Sequence, residues 1–283
     1  MKIISKIISY LIAFLLMLSI FASMLTYLAT STLLKEEYVL GKLEENGYYE
    51  NLYHEIQSKF EEYILQSGLE EEVIRDIYTE DQVQSDTKIL IHNIYAGTDQ
   101  EINITAIKEK LNKNIESSLG TTKTHLTSAQ KIAIEKFVDT IGNAYQSQIT
   151  ASNTLQKVSN NIPKINSFIN KAKIMIYFIP IGLCLFIILF NLSNLSQVLK
   201  YIGIAGVASG ILAILPNVLI NAVIKIENIT LISENFSIVI RSIIINLLQT
   251  ITTYGTVAIV LGIILIILAT LLKKEKRQNK HAN

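Results

Sequence analysis

Four long stretches of the chain contain no charged residue. They lie between Lys6 and Lys35, between Lys173 and Lys200, between Lys200 and Lys225, and from Ser242 to Leu272. Each is longer than the roughly 20 residues that an α-helix needs to cross a hydrocarbon core about 30 Å thick. Half of the 283 residues are apolar, and the mean hydropathy is +0.37. The pattern therefore predicts a polytopic membrane protein with four transmembrane helices.

The first apolar stretch has two interpretations. Lys2 and Lys6 precede it and the small residues Ala29, Thr30 and Ser31 end it, as in a cleaved signal peptide. The apolar region of a signal peptide is typically about 7–15 residues long, which is much shorter than this stretch. We therefore favour an uncleaved membrane anchor.

The distribution of lysine and arginine predicts the orientation. Lys2 and Lys6 precede the first span, and five basic residues follow the last one: Lys273, Lys274, Lys276, Arg277 and Lys280. Because basic flanking residues stay in the cytoplasm, both termini are expected there, in agreement with an even number of spans in the cell membrane. The basic tail is expected to contact anionic lipid head groups.

This orientation divides the chain into four parts. They are a cytoplasmic end with the first span (1–34), an extracytoplasmic domain (35–172), spans two to four with an outer amphipathic helix near 234–252 (173–272), and a basic cytoplasmic tail (273–283). The amphipathic helix either lies at the outer membrane interface or extends the last span. The only cysteine, Cys184, falls within the second span, so the external domain has to fold by core burial without disulfides.

The external domain is predicted to be helical, which makes the fold all-α. Its apolar residues recur at spacings of three and four, which is the period of a helix that is buried on one side. Four helices are expected over Tyr48 to Gly68, 69–78, Thr79 to Gly97 and Thr105 to Gly120. A fifth is expected to begin at a Thr127/Gln130 capping box, to run to about residue 150 and to weaken over 151–161. A sixth is expected to begin at Pro163 and to lead into the second span. The stretch "EINIT" is expected to be extended.

The stretch "LEENGYYENLYHEIQSKFEEYI" (43–64) is rich in carboxylates and tyrosines. It forms either an active site or the solvated face of a helix over a tyrosine-rich core. Because Glu44, Glu45, Glu50, Glu55, Glu61 and Glu62 lie mainly off the apolar stripe, we favour the solvated face. His54 begins "HEIQS", in which Ser58 replaces the second histidine of a zinc-binding HExxH motif. We therefore predict no catalytic, cofactor-binding or metal-binding residues.

Charge is distributed unevenly along the external domain. From Lys35 to Asp81 there are 14 acidic and 4 basic residues, a net −10, whereas from Gln82 to Lys173 there are 7 acidic and 11 basic residues, a net +4. Either the two halves attract each other, which we favour, or the acidic half meets a cationic partner or ions.

The predicted spans contain amides and small residues. Asn217 and Asn221 lie on one face of the third span, and Asn246 and Gln249 lie near the outer end of the fourth. We expect these amides to form hydrogen bonds between helices; the alternative is that they line a polar path. Two pairs of small residues, Gly206 with Gly210 and Ala258 with Gly262, predict close approach of the helices that carry them.

The layout of one anchor, one large external domain and three closely spaced spans resembles the MacB/FtsX-like permease subunits of ABC systems. This resemblance implies an external domain that relays ATP hydrolysis by a separate subunit. The segment "YTEDQVQSDTKILIHNIYAG" (78–97) resembles a group of uncharacterised bacterial four-span membrane proteins with one large helical extracytoplasmic domain. That second resemblance implies a layout and no particular activity.

Three functional hypotheses follow from the sequence. We favour a non-enzymatic membrane protein whose external domain binds or organises a partner at the cell surface. The alternative is a permease-like subunit that works with a separate ATPase, and an intramembrane enzyme ranks third. The expected partners are the lipid bilayer and an envelope or membrane protein, including a second copy of this chain. Neither nucleic acid nor a cofactor is expected.

The orientation is testable with alkaline phosphatase fusions. This reporter is active only outside the cytoplasm, where its disulfides form. Fused after Asn153 it should be active, and fused after Asn283 it should be silent. The reverse pattern would contradict the orientation.

Overall fold

The computed structural model of the chain describes residues 2–98, 100–120, 126–150, 161–192, 194–223, 226 and 234–281. Within these ranges all regular elements are helical, which confirms the all-α prediction. The described α-helices are α1 (Lys2–Ser31), α2 (Glu36–Glu45), α3 (Tyr48–Ser67), α4 (Glu80–Ala96), α5 (Thr105–Ser118), α6 (Ser128–Thr150), α7 (Ile162–Phe190), α8 (Leu195–Val223) and α9 (Glu234–His281).

The chain forms two compact units. The first, here called the membrane unit, contains Met1–Lys35, Asn166–Ile229 and Arg241–Asn283. The second, called the helical domain, contains Glu36–Ile165 and Thr230–Ile240. The helical domain thus includes the first residues of α9, and the expected outer amphipathic helix is continuous with the last span in a single helix.

Four helices, α1, α7, α8 and α9, are long and apolar enough to cross a membrane. Many of their large apolar side chains are exposed, among them Phe14, Phe178, Leu189 and Leu261. Exposure on this scale is unusual for a soluble protein and compatible with contact to lipid. Two polar contacts join α1 to α7 and the residue after it. Asn191 donates to Ser9 Oγ at 3.0 Å in a buried contact, and Ser23 donates to the Ile176 carbonyl at 3.0 Å in a partly buried one.

Helices α8 and α9 approach each other along a seam of small residues. The seam consists of Gly203, Gly206 and Gly210 on α8 and of Gly255, Ala258 and Gly262 on α9. A Cβ atom at Gly203 would lie 2.7 Å from the Gly262 carbonyl oxygen, and one at Gly262 would lie 2.6 Å from the Gly203 carbonyl oxygen. These distances are far below van der Waals contact, so no side chain fits at Gly203 or Gly262. The close approach predicted from the spacing of small residues is confirmed.

The helical domain has a continuous apolar core. Its largest fully buried side chains are Tyr145, Phe60, Leu43, Ile56, Ile64, Ile77, Ile107, Leu111, Ile115, Ile141 and Ile149. The stripe predicted for α3 consists of Tyr49, Leu52, Tyr53, Ile56, Phe60, Tyr63 and Ile64. Five of these residues are buried, and Tyr53 and Tyr63 are half-buried. The domain therefore folds around helix stripes, as the spacing of its apolar residues predicted.

The predicted helix ends are mostly confirmed. Gly68 and Gly97 end α3 and α4 with φ of +71° and +69°, a left-handed conformation that glycine adopts without steric cost. The Thr79 side chain accepts a hydrogen bond from the Gln82 amide. Thr127 and Gln130 form the predicted reciprocal capping box, with bonds of 3.0 and 3.3 Å. The helix after residue 160 begins at Ile162, with Pro163 as its second residue.

Two of the local predictions are wrong. Over 69–78 the structure has only a short 3₁₀ helix, Glu71–Ile74. It ends there because Arg75 is extended and Asp76 has a positive φ of 57°, neither of which an α-helix contains. Thr105 does not cap α5 but is its first residue. Its backbone amide donates a hydrogen bond to Asn103 Oδ1 at 3.0 Å. Residues 101–104 carry no regular element. The expected weakening of the helix over 151–160 lies outside the described residues.

The glycine seam predicts a contrast between two glycines in apolar helices. Gly262→Ala places a methyl group against the α8 backbone and should destabilise the protein by about 1–3 kcal/mol, the usual cost of overpacking. Gly182 has no atom within 4 Å of its virtual Cβ. Gly182→Ala should therefore be neutral or stabilise slightly, since alanine favours a helix by about 0.5–1 kcal/mol. Thermal unfolding of the purified full-length protein in detergent measures both, and equal melting temperatures would contradict the packing.

Candidate functional site

The acidic stretch 43–64, at the end of α2 and on α3, largely forms solvated helix faces. Glu44, Glu45, Glu50 and Glu62 are exposed, as the favoured interpretation predicted. Glu55 differs, because it is partly buried and accepts a hydrogen bond from Asn235 Nδ2 at 2.9 Å. Glu61 differs in another way, because it lines a cleft of the helical domain.

This cleft, called the aromatic cleft below, has aromatic walls and an acidic rim. It encloses about 240 Å³ and is lined by Tyr53, Gln57, Phe60, Glu61, Glu71, Ile74, Arg75, Asp76 and Tyr78. The ring of Tyr78 lies 5.2 Å from that of Tyr53 and 5.4 Å from that of Phe60. The Tyr78 hydroxyl donates to the Tyr53 carbonyl at 3.3 Å. Helix α3 and the segment before α4 thus form one aromatic surface.

A hydrogen-bonded turn holds the acidic rim in place. The Asn114 side chain of α5 donates to the carbonyls of Val73 and Arg75, at 3.0 Å in each case. Lys110 of the same helix donates to the Asp76 carbonyl at 3.3 Å. These bonds stabilise the left-handed backbone of Asp76, a residue type that tolerates positive φ better than most. The turn therefore presents Glu71 and Asp76 at the cleft by means of contacts to a different helix.

The electrostatics of the aromatic cleft favour positive charge. Three carboxylates line it, those of Glu61, Glu71 and Asp76, against one guanidinium. That guanidinium, on Arg75, donates to the Glu72 carboxylate at 3.0 Å and is thereby partly neutralised. Burial, reinforced by the nearby Tyr53 and Glu61, raises the pKa of Tyr78, so its phenol remains neutral. Electron-rich ring faces beside carboxylates suit an ammonium or guanidinium group.

The two oppositely charged halves of the domain hardly pair with each other. Among the described residues only Glu36 and His92, 3.2 Å apart, join a carboxylate of the acidic half to a basic side chain of the other half. The pairs Lys42–Glu45, Lys59–Glu62 and Glu72–Arg75 lie within the acidic half, and Lys108–Asp139 lies within the other. Such exposed pairs contribute about 0–1 kcal/mol each. The favoured attraction between the halves therefore stays a prediction, and within the described residues most carboxylates of the acidic half form no ion pair with the other half.

A buried carboxyl group that the sequence reading missed lies behind the cleft. Asp86 of α4 is 8% exposed, and its Oδ2 accepts a hydrogen bond from the Tyr145 hydroxyl at 2.7 Å. Burial raises the pKa of Asp86, and the bond from Tyr145 lowers it in part. The Tyr145 ring lies 5.6 Å from the Tyr78 ring, which links this pair to the aromatic cleft. The spacing gave a signal, because Asp86 follows the buried Val83 by three residues on the apolar stripe of α4.

The remaining candidate residues form hydrogen bonds or ring contacts with neighbouring side chains. Asn217 donates to Thr252 Oγ1 at 3.0 Å across α8 and α9, and Asn221 donates to Asn217 Oδ1 at 2.8 Å. The predicted hydrogen bonding of amides between helices is thus confirmed for Asn217. His54 is exposed and stacks edge-on against Tyr53. Within the described part of the chain, no group of three His, Cys, Asp or Glu side chains is arranged to hold a metal ion.

The buried Asp86 predicts a pH dependence of stability. Because its folded pKa is raised, the folded state holds this proton more tightly than the unfolded chain does. The contribution of Asp86 to the free energy of unfolding is therefore greatest below the unfolded pKa of about 3.9 and is lost as pH rises through the folded pKa.

Asp86→Asn removes this titration and keeps an oxygen that accepts from Tyr145. Urea unfolding of the full-length protein at several pH values measures the effect. Relative to the unmodified protein, the variant should become steadily more stable as pH rises from acid to neutral. A stability difference that does not change with pH would contradict the assignment. Asp81→Asn, at an exposed position in the first turn of the same helix, is the matched control.

Comparison of this chain with protein-family models, curated proteins and solved structures found no match. The resemblance to MacB/FtsX-like permeases therefore stays a prediction from the order of the helices, and that to four-span bacterial proteins stays a prediction from the segment 78–97.

Proposed function

We propose that this protein is a non-enzymatic, multi-pass protein of the cell membrane that binds a cationic segment of a partner protein through its helical domain. In this proposal both termini are cytoplasmic and the helical domain faces outward. The partner is another envelope or membrane protein, or a second copy of this chain. The observation that carries the proposal is the aromatic cleft, with three carboxylates at its rim.

The membrane placement is supported by the four apolar helices and by the basic residues that flank the first and last of them. The charge of the helical domain supports a cationic partner. Its acidic half carries a net −10, and few of these carboxylates pair with the other half of the domain. A field of one sign attracts oppositely charged segments and accelerates their association.

Energetic arguments favour a peptide segment over a single small amine. A cation over an aromatic face gains about 0.5–2 kcal/mol, and an exposed carboxylate adds about 0.2–1 kcal/mol. A lone ammonium group in the cleft would therefore gain only a few kcal/mol, which corresponds to millimolar or weaker binding. A segment with several lysine or arginine residues engages the cleft and the surrounding carboxylates together, and so reaches higher affinity.

The order of the helices favours one second candidate. An anchor (α1), a large helical domain and three apolar helices (α7, α8 and α9) form the layout of a permease-like subunit that works with a separate ATPase. This candidate predicts that an ATPase co-purifies with the protein from its native membrane. Purification without any ATPase would exclude it and leave the first proposal intact.

The cleft predicts selective binding of lysine-rich peptides. A labelled trilysine peptide is titrated against the full-length protein in lipid nanodiscs, and fluorescence anisotropy reports the affinity. The double variant Glu61→Gln/Glu71→Gln removes two rim charges and should weaken binding about tenfold, the effect of roughly 1.4 kcal/mol. The matched control is Glu44→Gln/Glu50→Gln, which removes two exposed carboxylates outside the cleft.

An acetylated trilysine peptide, which lacks the side-chain charges, should not bind. Tyr53→Leu should weaken binding while leaving the charge of the rim unchanged. An equal loss in the two double variants would show that only overall acidity matters, and would contradict the cleft as the site.

A further inference from the structure

Most polar groups that line the aromatic cleft are hydrogen-bond acceptors. Glu61, Glu71 and Asp76 each present a carboxylate, which has two acceptor oxygens and no hydrogen to donate. The Tyr78 hydroxyl uses its single hydrogen in the bond to the Tyr53 carbonyl, at 3.3 Å. A ligand group that matches this lining therefore has to supply several N–H donors.

Two of the described side chains that line the cleft carry N–H donors, and both donate to carboxylates. The Arg75 guanidinium donates to Glu72 at 3.0 Å. The Gln57 amide donates to Glu61 Oε1 at 3.2 Å, across one turn of α3. This bond orients the Glu61 carboxylate and still leaves its second oxygen able to accept. Glu61 is thus an oriented acceptor in the wall of the cleft.

The oriented carboxylate lies beside an accessible ring. Tyr53, Gln57 and Glu61 follow one another at spacings of four residues, so they share one face of α3. The rings of Tyr53 and Tyr78 are 5.2 Å apart and inclined by 54°. Tyr78 is buried and Phe60 fully so, whereas Tyr53 is half-buried. Tyr53 therefore provides the ring surface that a ligand can contact.

A ring and an oriented carboxylate in one cleft favour a guanidinium over an ammonium group. A guanidinium is planar, so it can stack on a ring while the N–H groups at its edge donate to a carboxylate as a two-bond fork. It is also more weakly hydrated than an ammonium group, so it loses less when it leaves water. An ammonium group is a compact charge that matches neither the plane of the ring nor the fork.

Given the binding of a cationic segment proposed above, on which this assignment rests, we propose that the residue of that segment which enters the aromatic cleft is arginine rather than lysine. Its guanidinium stacks on Tyr53 and donates to the Glu61 carboxylate. Gln57 is a positioning residue, because it sets the preference by orienting Glu61. Glu71 and Asp76 attract the neighbouring cations of the segment.

Two labelled tripeptides of equal charge separate arginine from lysine. One is trilysine, and the other, called the arginine peptide, has arginine between two lysines. Both are titrated against the full-length protein in lipid nanodiscs, with fluorescence anisotropy as the readout. The arginine peptide should bind about fivefold more tightly, which is the effect of roughly one added hydrogen bond.

Methylation of the arginine peptide tests the fork directly. A methyl group on each terminal nitrogen of the guanidinium keeps the charge but blocks the two-bond contact to a carboxylate. The methylated peptide should therefore bind no more tightly than trilysine. Tighter binding of the methylated peptide would overturn the fork.

A variant of Gln57 tests the positioning role. Gln57→Leu removes the donor that orients Glu61 and leaves the net charge unchanged. The preference for the arginine peptide should disappear, while the affinity for trilysine should stay within about twofold. The matched control is Gln66→Leu, at an exposed glutamine of α3 that does not line the cleft, and it should keep the full preference. Melting temperatures check that both variants fold.

The outcomes separate this assignment from the proposed function. Equal affinities of the two tripeptides for a protein that binds both would overturn the preference for arginine and leave the proposed function standing. An undiminished preference in folded Gln57→Leu would overturn the positioning role. If neither tripeptide binds, the proposed function fails, and the assignment fails with it.

Discussion

The seam of small residues between α8 and α9 constrains the whole membrane unit. Where Gly203 and Gly210 face Gly262 and Gly255, the two backbones come so close that not even a methyl group fits. This contact fixes the register of one helix against the other and so brings Asn217 opposite Thr252. Further along α8, beyond Gly210, the helix contains Pro216, which cannot donate a backbone hydrogen bond. Larger side chains, including Asn217 and Gln249, then replace glycine, and the space between the helices becomes a cavity.

In the helical domain a different constraint operates, namely tyrosines packed inside the core. Tyr48 and Tyr49 are each 5% exposed, and burial together with nearby carboxylates raises the pKa of both to about 12. They therefore stay neutral phenols. Phenol rings fill a core as bulky apolar groups, and their hydroxyl groups can still form hydrogen bonds, as that of Tyr145 does with Asp86. Tyr48 and Tyr49 of the acidic stretch therefore belong to the packed core, while Tyr53 borders the aromatic cleft.

Local features of the fold were predictable because each depends on a few neighbouring residues. The period of the apolar residues predicted the buried stripe of α3. Gly68 predicted the end of α3, and Thr79 and Gly97 predicted the two ends of α4. Features that depend on distant contacts were not predictable. The turn at Asp76 is held by Asn114, which follows it by 38 positions along the sequence numbering. The aromatic cleft joins Tyr53 to Tyr78, and no periodicity pairs residues so far apart. The expected attraction between the charged halves stays a prediction, because net charge does not specify which side chains meet.

The cluster of phenol rings around Tyr78 has an optical consequence. The chain contains 13 tyrosines and no tryptophan, so its intrinsic near-ultraviolet emission comes from tyrosine alone. A phenol bonded to a carboxylate emits differently from a phenol in water, and Tyr145 bonded to Asp86 is therefore set apart from the exposed tyrosines of the chain. Tyr78 stands between this pair and the aromatic cleft, with ring centres 5.2 to 5.6 Å from those of Tyr53 and Tyr145. The protein thus carries a built-in, label-free fluorophore beside both its buried carboxyl group and its candidate binding cleft.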